Sequence, residues 1–353
     1  MNLNQLKALF FQNTQLTQIV FKNTSWMVVA NIIAKAFKFG MMIVVARELG
    51  PGLFGEFNYI IVLSAMCFML SDVGLNLLII REFSNQTVHR PTLIATGFSV
   101  KLLVIFINIM FASVLCFFLD PLLKLPFVIF SAMNTIDGVK QYWITLNRAH
   151  LKQQHEGIGF IIETTVTSIL GATIALNSMG IVYLSAAYFF GSFLAGMYLF
   201  AKTKQFMQPL KHTCPAMMKD LLRKMTPFTL SICLATAITI IDTLMIQWML
   251  GSEAVGLYSS GLKVSETIII IPTIFGSVLF PFFTRFQTKP DRLFKLLKES
   301  LAILFMIGCP VIFGGIYLSQ DIIHLIFSDS YINSTVTFRY LLGATLFIFW
   351  FII

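Results

Sequence analysis

Ten charged side chains lie within stretches that otherwise have the composition of membrane-spanning helices. Five are lysines and five are carboxylates: Lys35, Lys38, Lys101, Lys140 and Lys263, with Asp72, Asp137, Glu163, Asp242 and Glu266. A charge at the centre of a spanning helix costs roughly 2.5 to 3.5 kcal/mol, so such charges usually face a protein interior or a water-filled path. The sequence therefore predicts a polar cavity inside a membrane protein.

Helical spacing places several of these charges on shared faces. Polar residues recur at intervals of three, four or seven in three stretches: Asn31, Lys35 and Lys38; Lys101 and Asn108; Ser259, Lys263 and Glu266. Residues at these intervals lie on one side of a helix. Lysines held in a low dielectric attract a hydrated anion strongly, so the candidate binding residues for an anionic group are Lys35, Lys38, Lys101, Lys263, Arg47 and Lys140.

Other roles stay open for part of this set. Lys140 and Arg47 could extend along the helix to reach the membrane surface. The polar stripe on the fourth predicted helix, which contains Asp137, could join helices or line the pathway. The five carboxylates could carry coupling protons or sodium, or neutralise the lysines.

The composition predicts an integral membrane protein. Hydrophobic residues make up 57% of the 353 residues, charged residues 12%, and the mean hydropathy is +0.82; about a quarter of the residues in soluble proteins are charged. The five cysteines are scattered, without a CxxC pair. We therefore expect no disulfide framework, no metal site and no cofactor.

The apolar runs predict an all-α fold of about ten transmembrane helices, since a hydrocarbon core of about 30 Å needs about 20 residues. Their approximate limits are 24–46, 53–80, 91–119, 125–147, 157–177, 180–201, 226–249, 254–283, 300–318 and 337–353.

The loops between these runs predict a cytoplasmic N-terminus. With that orientation, 17 Lys and Arg residues lie on the inner side and three, Arg47, Lys124 and Arg339, on the outer side. Such a bias in short loops is a strong indicator of orientation. The net charge of +9 is thus explained by topology and anionic lipid, and we expect no nucleic-acid partner.

A basic connection divides the chain into two lobes. We predict an N-terminal lobe over 1–201 with about six helices, a cytoplasmic linker over 202–225, and a C-terminal lobe over 226–353 with about four. The sequence LGPGLFGEF at 49–57 aligns with LGSEAVGLY at 250–258, at an offset of 201 residues. Both segments join the first two helices of a lobe, which indicates parallel repeats, although the shared pattern is also compatible with simple turn chemistry.

These segments carry a family resemblance. The first hairpin, RELGPGLFGEF at 47–57, the second hairpin at 250–258, and IIHLIFSDSY at 322–331 resemble the polysaccharide-transporter flippases of the multidrug/oligosaccharidyl-lipid/polysaccharide (MOP) superfamily, in particular Wzx-type O-antigen flippases. The resemblance implies a MATE-like fold and covers nearly the whole chain. Members usually have more spans than this chain, so we expect an incomplete second lobe, from natural truncation or because the sequence is a fragment.

The resemblance implies a function. Flippases of this type move an undecaprenyl-pyrophosphate-linked oligosaccharide across the bacterial inner membrane during surface-polysaccharide and O-antigen synthesis. It implies a multi-pass protein of that membrane whose partners are the lipid-linked oligosaccharide, membrane lipids, and polymerase or ligase proteins of glycan assembly. A hydrated pyrophosphate needs a wet, cationic path, which agrees with the lysine-containing faces.

The residues also bear on two other functions. A glycosyltransferase would need a DxD-type metal motif, and no two Asp residues here are separated by one position; we expect no enzyme. A drug exporter of the same superfamily would keep the fold. An exporter of cations would favour an acidic cavity, whereas the deep charges here balance at five to five.

Overall fold

A computed structural model describes residues 16–69, 74–83, 89–286 and 290–351. The α-helices within these ranges are numbered in chain order, and no strand is present there. They are α1 Leu16–Met69, α2 Leu75–Phe83, α3 Arg90–Phe117, α4 Pro121–Ala149, α5 Gln154–Leu176, α6 Ile181–Thr203, α7 Pro215–Leu250, α8 Ser252–Ile268, α9 Ile270–Phe286, α10 Pro290–Tyr317, α11 Ser319–Phe327 and α12 Ser334–Phe351. Short 3₁₀ turns lie at Lys204–Phe206, Leu210–His212 and Asp329–Tyr331.

The helices confirm the predicted all-α membrane fold. Within the described ranges, eight helical segments are long and apolar enough to cross a membrane, and Ser334–Phe349 forms a shorter apolar helix. Each predicted run overlaps one of these segments. The first two runs share Ala30–Met69, because α1 continues through the first hairpin with a break at Gly50 (φ 70°, ψ 172°).

Several helix ends differ from the apolar runs. The seventh run was predicted from 226, but α7 begins at Pro215, and α10 likewise begins at Pro290, before the run at 300–318. The predicted runs stopped where basic residues interrupt the apolar sequence. Lys and Arg are nevertheless compatible with a helix, and Pro is favoured at the first helical position. The eighth run, 254–283, consists of two helices that meet between Ile268 and Ile270.

The chain forms two compact units. Among the described residues, the first unit contains those up to Met41 and those from Tyr59 to Met245; the second contains Met42–Asn58 and those from Ile246 onward. In the first unit, one core cluster joins α2, α3 and α4 to the start of α7 through the buried residues Leu75, Val100, Tyr142, Leu221 and Met225. Lys224 of α7 also pairs with Glu82 of α2 at 3.1 Å. Much of the predicted linker is therefore packed helix rather than free connection.

In the second unit, the two repeated motifs lie directly against each other. A Cβ atom at Gly55 would lie 1.7 Å from the carbonyl oxygen of Ser252, and one at Gly256 would lie 2.0 Å from that of Pro51. Gly256 and Ser252 are the repeat equivalents of Gly55 and Pro51 at the offset of 201. The contact is thus reciprocal, as expected at a local two-fold axis relating parallel repeats.

Candidate functional site

A largely buried ion cluster lies between α4, α5 and α6 in the first unit. The Lys140 ammonium contacts Asp137 Oδ1 at 2.6 Å and Glu163 Oε2 at 2.5 Å. It also donates a hydrogen bond to Ser192 Oγ at 3.2 Å, and that hydroxyl donates to Asp137 Oδ1. The Lys140 side chain is only 5% exposed. One ammonium therefore holds two carboxylates, and the three groups together carry a formal charge of −1.

Close helix packing brings these groups together. Asp137 and Lys140 lie one turn apart on α4, Glu163 comes from α5 and Ser192 from α6. A Cβ atom at Gly191 would lie 2.1 Å from Thr167 Oγ1 and 2.8 Å from the Glu163 carbonyl oxygen. The absence of a side chain there lets the backbones of α5 and α6 approach, as small residues do between membrane helices.

A small polar cavity of about 160 Å³ adjoins the cluster. Asp137, Glu163 and Lys38 line it, together with hydroxyl-bearing residues and an amide: Ser64, Thr164, Thr167, Ser168, Tyr188 and Asn134. Asn134 Nδ2 donates to the Ser64 carbonyl at 2.8 Å. The Ser168 hydroxyl is buried without a hydrogen-bond partner among the described residues. A cavity of this size and polarity can hold water or a small polar group.

Lys38 is the cation at the edge of this cavity. Its side chain is exposed, and its ammonium lies 5.8 Å from the centre of the Tyr188 ring. A cation over an aromatic face is attracted by the ring and held in a defined direction. With Lys38, the two cations of the site balance Asp137 and Glu163.

The remaining predicted residues of the first unit that the structure describes do not line this cavity. Lys101 of α3 is fully buried and Lys35 of α1 is exposed. Asp242 of α7 accepts a hydrogen bond from the Thr243 backbone amide at 2.7 Å. Asp72 lies outside the described residues. The structure thus brings together Lys38, Lys140, Asp137 and Glu163.

Three predicted residues belong to the second unit. Lys263 pairs with Glu266 at 2.9 Å on α8. Arg47 Nε donates to the Ile326 carbonyl at 2.8 Å and its Nη2 donates to that of Leu325. Both carbonyls lie in the last turn of α11, where a cation also complements the helix dipole. These contacts favour a positioning role for Arg47 between the first hairpin and the 322–331 segment.

The Tyr331 hydroxyl strengthens that connection by donating to the Ala46 carbonyl at 2.8 Å. Two of the three segments that carried the family resemblance are thus bonded to each other.

The sequence model of a family described as "Polysaccharide biosynthesis protein" matches residues 20–287. The chain belongs to this family. A search of curated protein sequences found no match.

Solved structures share the fold of this polysaccharide biosynthesis family member. The lipid II flippase MurJ in an inward closed conformation superposes with a TM-score of 0.69 at 16% identity, over 91% of this chain and 73% of MurJ. An inward-facing multidrug resistance MATE family transporter of the MOP superfamily gives 0.61 at 15% identity, over 88% of this chain and 76% of that protein. A MOP superfamily transporter from Pyrococcus furiosus gives 0.54 at 13% identity, over 97% and 81%.

The chain is therefore a multi-pass membrane protein of a flippase and transporter fold. Among the residues that the structure describes, no group of three His, Cys, Asp or Glu is arranged to hold a metal ion.

Sequence reasoning missed the uncharged half of the cavity. Thr164, Thr167 and Ser168 of α5 recur at helical spacing beside Glu163, and Tyr188 and Ser192 of α6 lie four residues apart. Both patterns place polar residues on one face of an apolar helix. They could have been found by searching for hydroxyl faces as well as for charges.

Proposed function

We propose that this protein flips an undecaprenyl-pyrophosphate-linked oligosaccharide across the bacterial inner membrane for surface-polysaccharide synthesis, including O-antigen synthesis. Membership of the polysaccharide biosynthesis family supports a lipid-linked glycan as cargo. The observation that carries the proposal is the polar cavity of the first unit, where Lys38 lies exposed beside the closed Lys140, Asp137 and Glu163 cluster.

The charge arrangement fits an anionic head group better than a cationic drug. The Lys140 ammonium contacts both carboxylates of the cluster, and Lys38 at the cavity edge supplies the second positive charge. The site therefore has no net negative charge that would favour a cation. A pyrophosphate passing along this path would meet an ammonium and hydroxyl groups, which replace part of its hydration shell at low dielectric.

Translocation needs no bond to be made or broken. The head group would lie in a wet path while the lipid chain stays in the hydrocarbon layer, and alternating access would expose that path to each side in turn. In this proposal Lys35 and Lys38 of the first unit and Lys263 of the second unit attract the pyrophosphate, and Asp242 and Glu266 balance charge within their own units. Lys140 and Arg47 hold neighbouring elements in place.

The proposal is tested with lysine variants in cells whose own polysaccharide flippase has been deleted. Lys35→Ala, Lys38→Ala and Lys263→Ala should each reduce surface-glycan export by about tenfold, the effect of losing one charge-assisted contact of about 1.4 kcal/mol. Lys219→Ala, an exposed lysine of α7, is the matched control and should export normally. Amounts of membrane-inserted protein are equalised, and insertion should not suffer because neutral residues cost less in the bilayer.

Normal export by all three variants and by the triple variant would refute the anion path. The same cells distinguish a drug exporter, since MATE transporters share the fold. Efflux of a cationic dye without glycan export would assign the chain to that function instead.

A further inference from the structure

A second, larger cavity of the first unit is an apolar groove of about 680 Å³ between α3 and α4. Its walls include Ile109, Ala112 and Phe117 from α3 and Phe127 and Val128 from α4, with Phe189 of α6 also in contact. Val128 is 50% exposed and Phe117 is 79% exposed. The volume lies in the range that a single small-molecule or lipid-chain ligand fills.

The groove has the length of about one membrane leaflet. Along α3 it extends from Asn108 to Phe117, and along α4 from Lys124 to Ile136. At 1.5 Å per helical residue these distances are about 14 and 18 Å, roughly half of a hydrocarbon core of about 30 Å. A chain lying in the groove would therefore belong to a lipid of one leaflet.

The polar groups of the groove are distributed unequally. Lys124 lines it from the first turn of α4, close to the connection between α3 and α4. This lysine is half-buried and makes no ion pair within the described part of the chain. Ser131, seven residues further along α4, has a buried hydroxyl without a hydrogen-bond partner among the described residues. The groove thus offers one cation at its surface end and apolar walls below it.

We propose that this groove binds the phosphate-proximal part of the hydrocarbon chain of a polyisoprenyl phosphate, with the phosphate at Lys124. The single groove matches a lipid with one hydrocarbon chain, and the single ammonium matches its one phosphate group. A phospholipid would leave its second chain outside the groove. Naming the chain as polyisoprenyl rests on the function proposed above. In the predicted topology Lys124 faces the outer side, so the groove would hold the lipid after its head group has crossed.

The test is photo-crosslinking in proteoliposomes of neutral phosphatidylcholine that contain radiolabelled undecaprenyl phosphate. A benzophenone amino acid replaces Val128 in the groove, and Ile169 of α5 serves as the control because it is similarly exposed, at 57%, and lies outside the groove. Labelling should be several-fold stronger from position 128. Lys124→Gln should reduce it about fivefold, the effect of one basic residue near a lipid phosphate.

A second variant fills the groove without removing charge. Ala132 lines the groove and is exposed, so Ala132→Trp should fold and should also abolish the labelling from position 128. Unlabelled undecaprenyl phosphate should compete for labelling, and phosphatidylglycerol at equal concentration should not.

Three results would overturn the proposal: equal labelling from positions 128 and 169, labelling that neither variant changes, or competition by phosphatidylglycerol alone. The two proposals fail separately. Absent groove labelling with impaired export in the cavity-lysine variants removes the groove only. Groove labelling that meets all these criteria, together with normal export in every lysine variant, would refute the proposed lysine path and leave the groove proposal standing.

Discussion

Lys140 compensates part of the negative charge of two carboxylates in a largely buried cluster. Its ammonium lies between Asp137 and Glu163 and its side chain is 5% exposed, so it does not extend to the membrane surface. Removing one partner of a buried ion group leaves uncompensated charge and typically costs about 3 to 5 kcal/mol. The cost is larger than that of losing a half-exposed pair, which is about 0 to 1 kcal/mol.

We therefore expect Lys140→Ala to lower the thermal unfolding midpoint of the purified protein strongly, because Asp137 and Glu163 are left facing each other. Replacing a carboxylate as well, in Lys140→Ala with Glu163→Gln, should recover part of the loss. The midpoint is measured in detergent by fluorescence-detected size-exclusion chromatography after heating.

The control for this prediction is Lys263→Ala. Lys263 also pairs with a carboxylate one helical turn away, Glu266, but that pair is half-exposed. It should change the midpoint little. Equal losses in the two single variants would show that the Lys140 cluster is not a buried charge balance.

Sequence reasoning reached this cluster only in part. The sequence placed Asp137 in a polar stripe of the fourth helix and Lys140 among the candidate anion-binding residues, without pairing them; the structure joins the two at 2.6 Å. Glu163 and Ser192 come from two other helices, and their approach depends on Gly191. Helical periodicity describes one helix at a time, so it cannot specify which faces meet.

At the scale of elements, the repeated hairpins show what a sequence repeat does physically. The alignment at an offset of 201 identified equivalent glycines, and the structure places them in one crossing where each meets the other motif's backbone. Helices approach this closely only when small residues lie at the contact. The repeat therefore supplies a self-complementary surface as well as a turn.

Gly55→Ala should destabilise the second unit by about 1 to 3 kcal/mol or more, as overpacking does, because its Cβ would lie 1.7 Å from a backbone oxygen. Gly52→Ala is a matched control in the same helix, with nothing within 4 Å of the added Cβ. It should be neutral or stabilising, since Ala is a better helix former than Gly by about 1 kcal/mol. Thermal midpoints of the two variants provide the measurement.

Gly256→Ala repeats the test from the other side, where the added atom would lie 2.0 Å from the Pro51 carbonyl. If the crossing is reciprocal, it should resemble Gly55→Ala. Wild-type stability in both variants would mean that the hairpins do not pack in this way.

Element boundaries were predictable where hydropathy changes and less so elsewhere. The ends of α5 and α6 lie within a few residues of the apolar runs. The first turns of α7 and α10 are basic and amphipathic, so hydropathy alone excluded them. Packing of Leu221 and Met225 into the first core explains why this polar segment is helical.

At the scale of the whole molecule, orientation in the membrane connects the two proposals. The lysine path needs its entry on the cytoplasmic side, and the groove needs Lys124 on the outer side. The distribution of 17 basic residues against three predicts both, because basic loops stay in the cytoplasm. The fold itself does not distinguish inside from outside, so this property depends on the sequence alone.

Single cysteines test the orientation in a background without the five native cysteines. A cysteine at Gln205, which is exposed in the 3₁₀ turn after α6, should react with an impermeant thiol reagent only after the membrane is opened. A cysteine at Glu253 should react in intact cells. Glu253 is exposed in the first turn of α8. Labelling of position 205 in intact cells would reverse the topology, place Lys124 in the cytoplasmic leaflet, and make the groove a site for lipid before translocation.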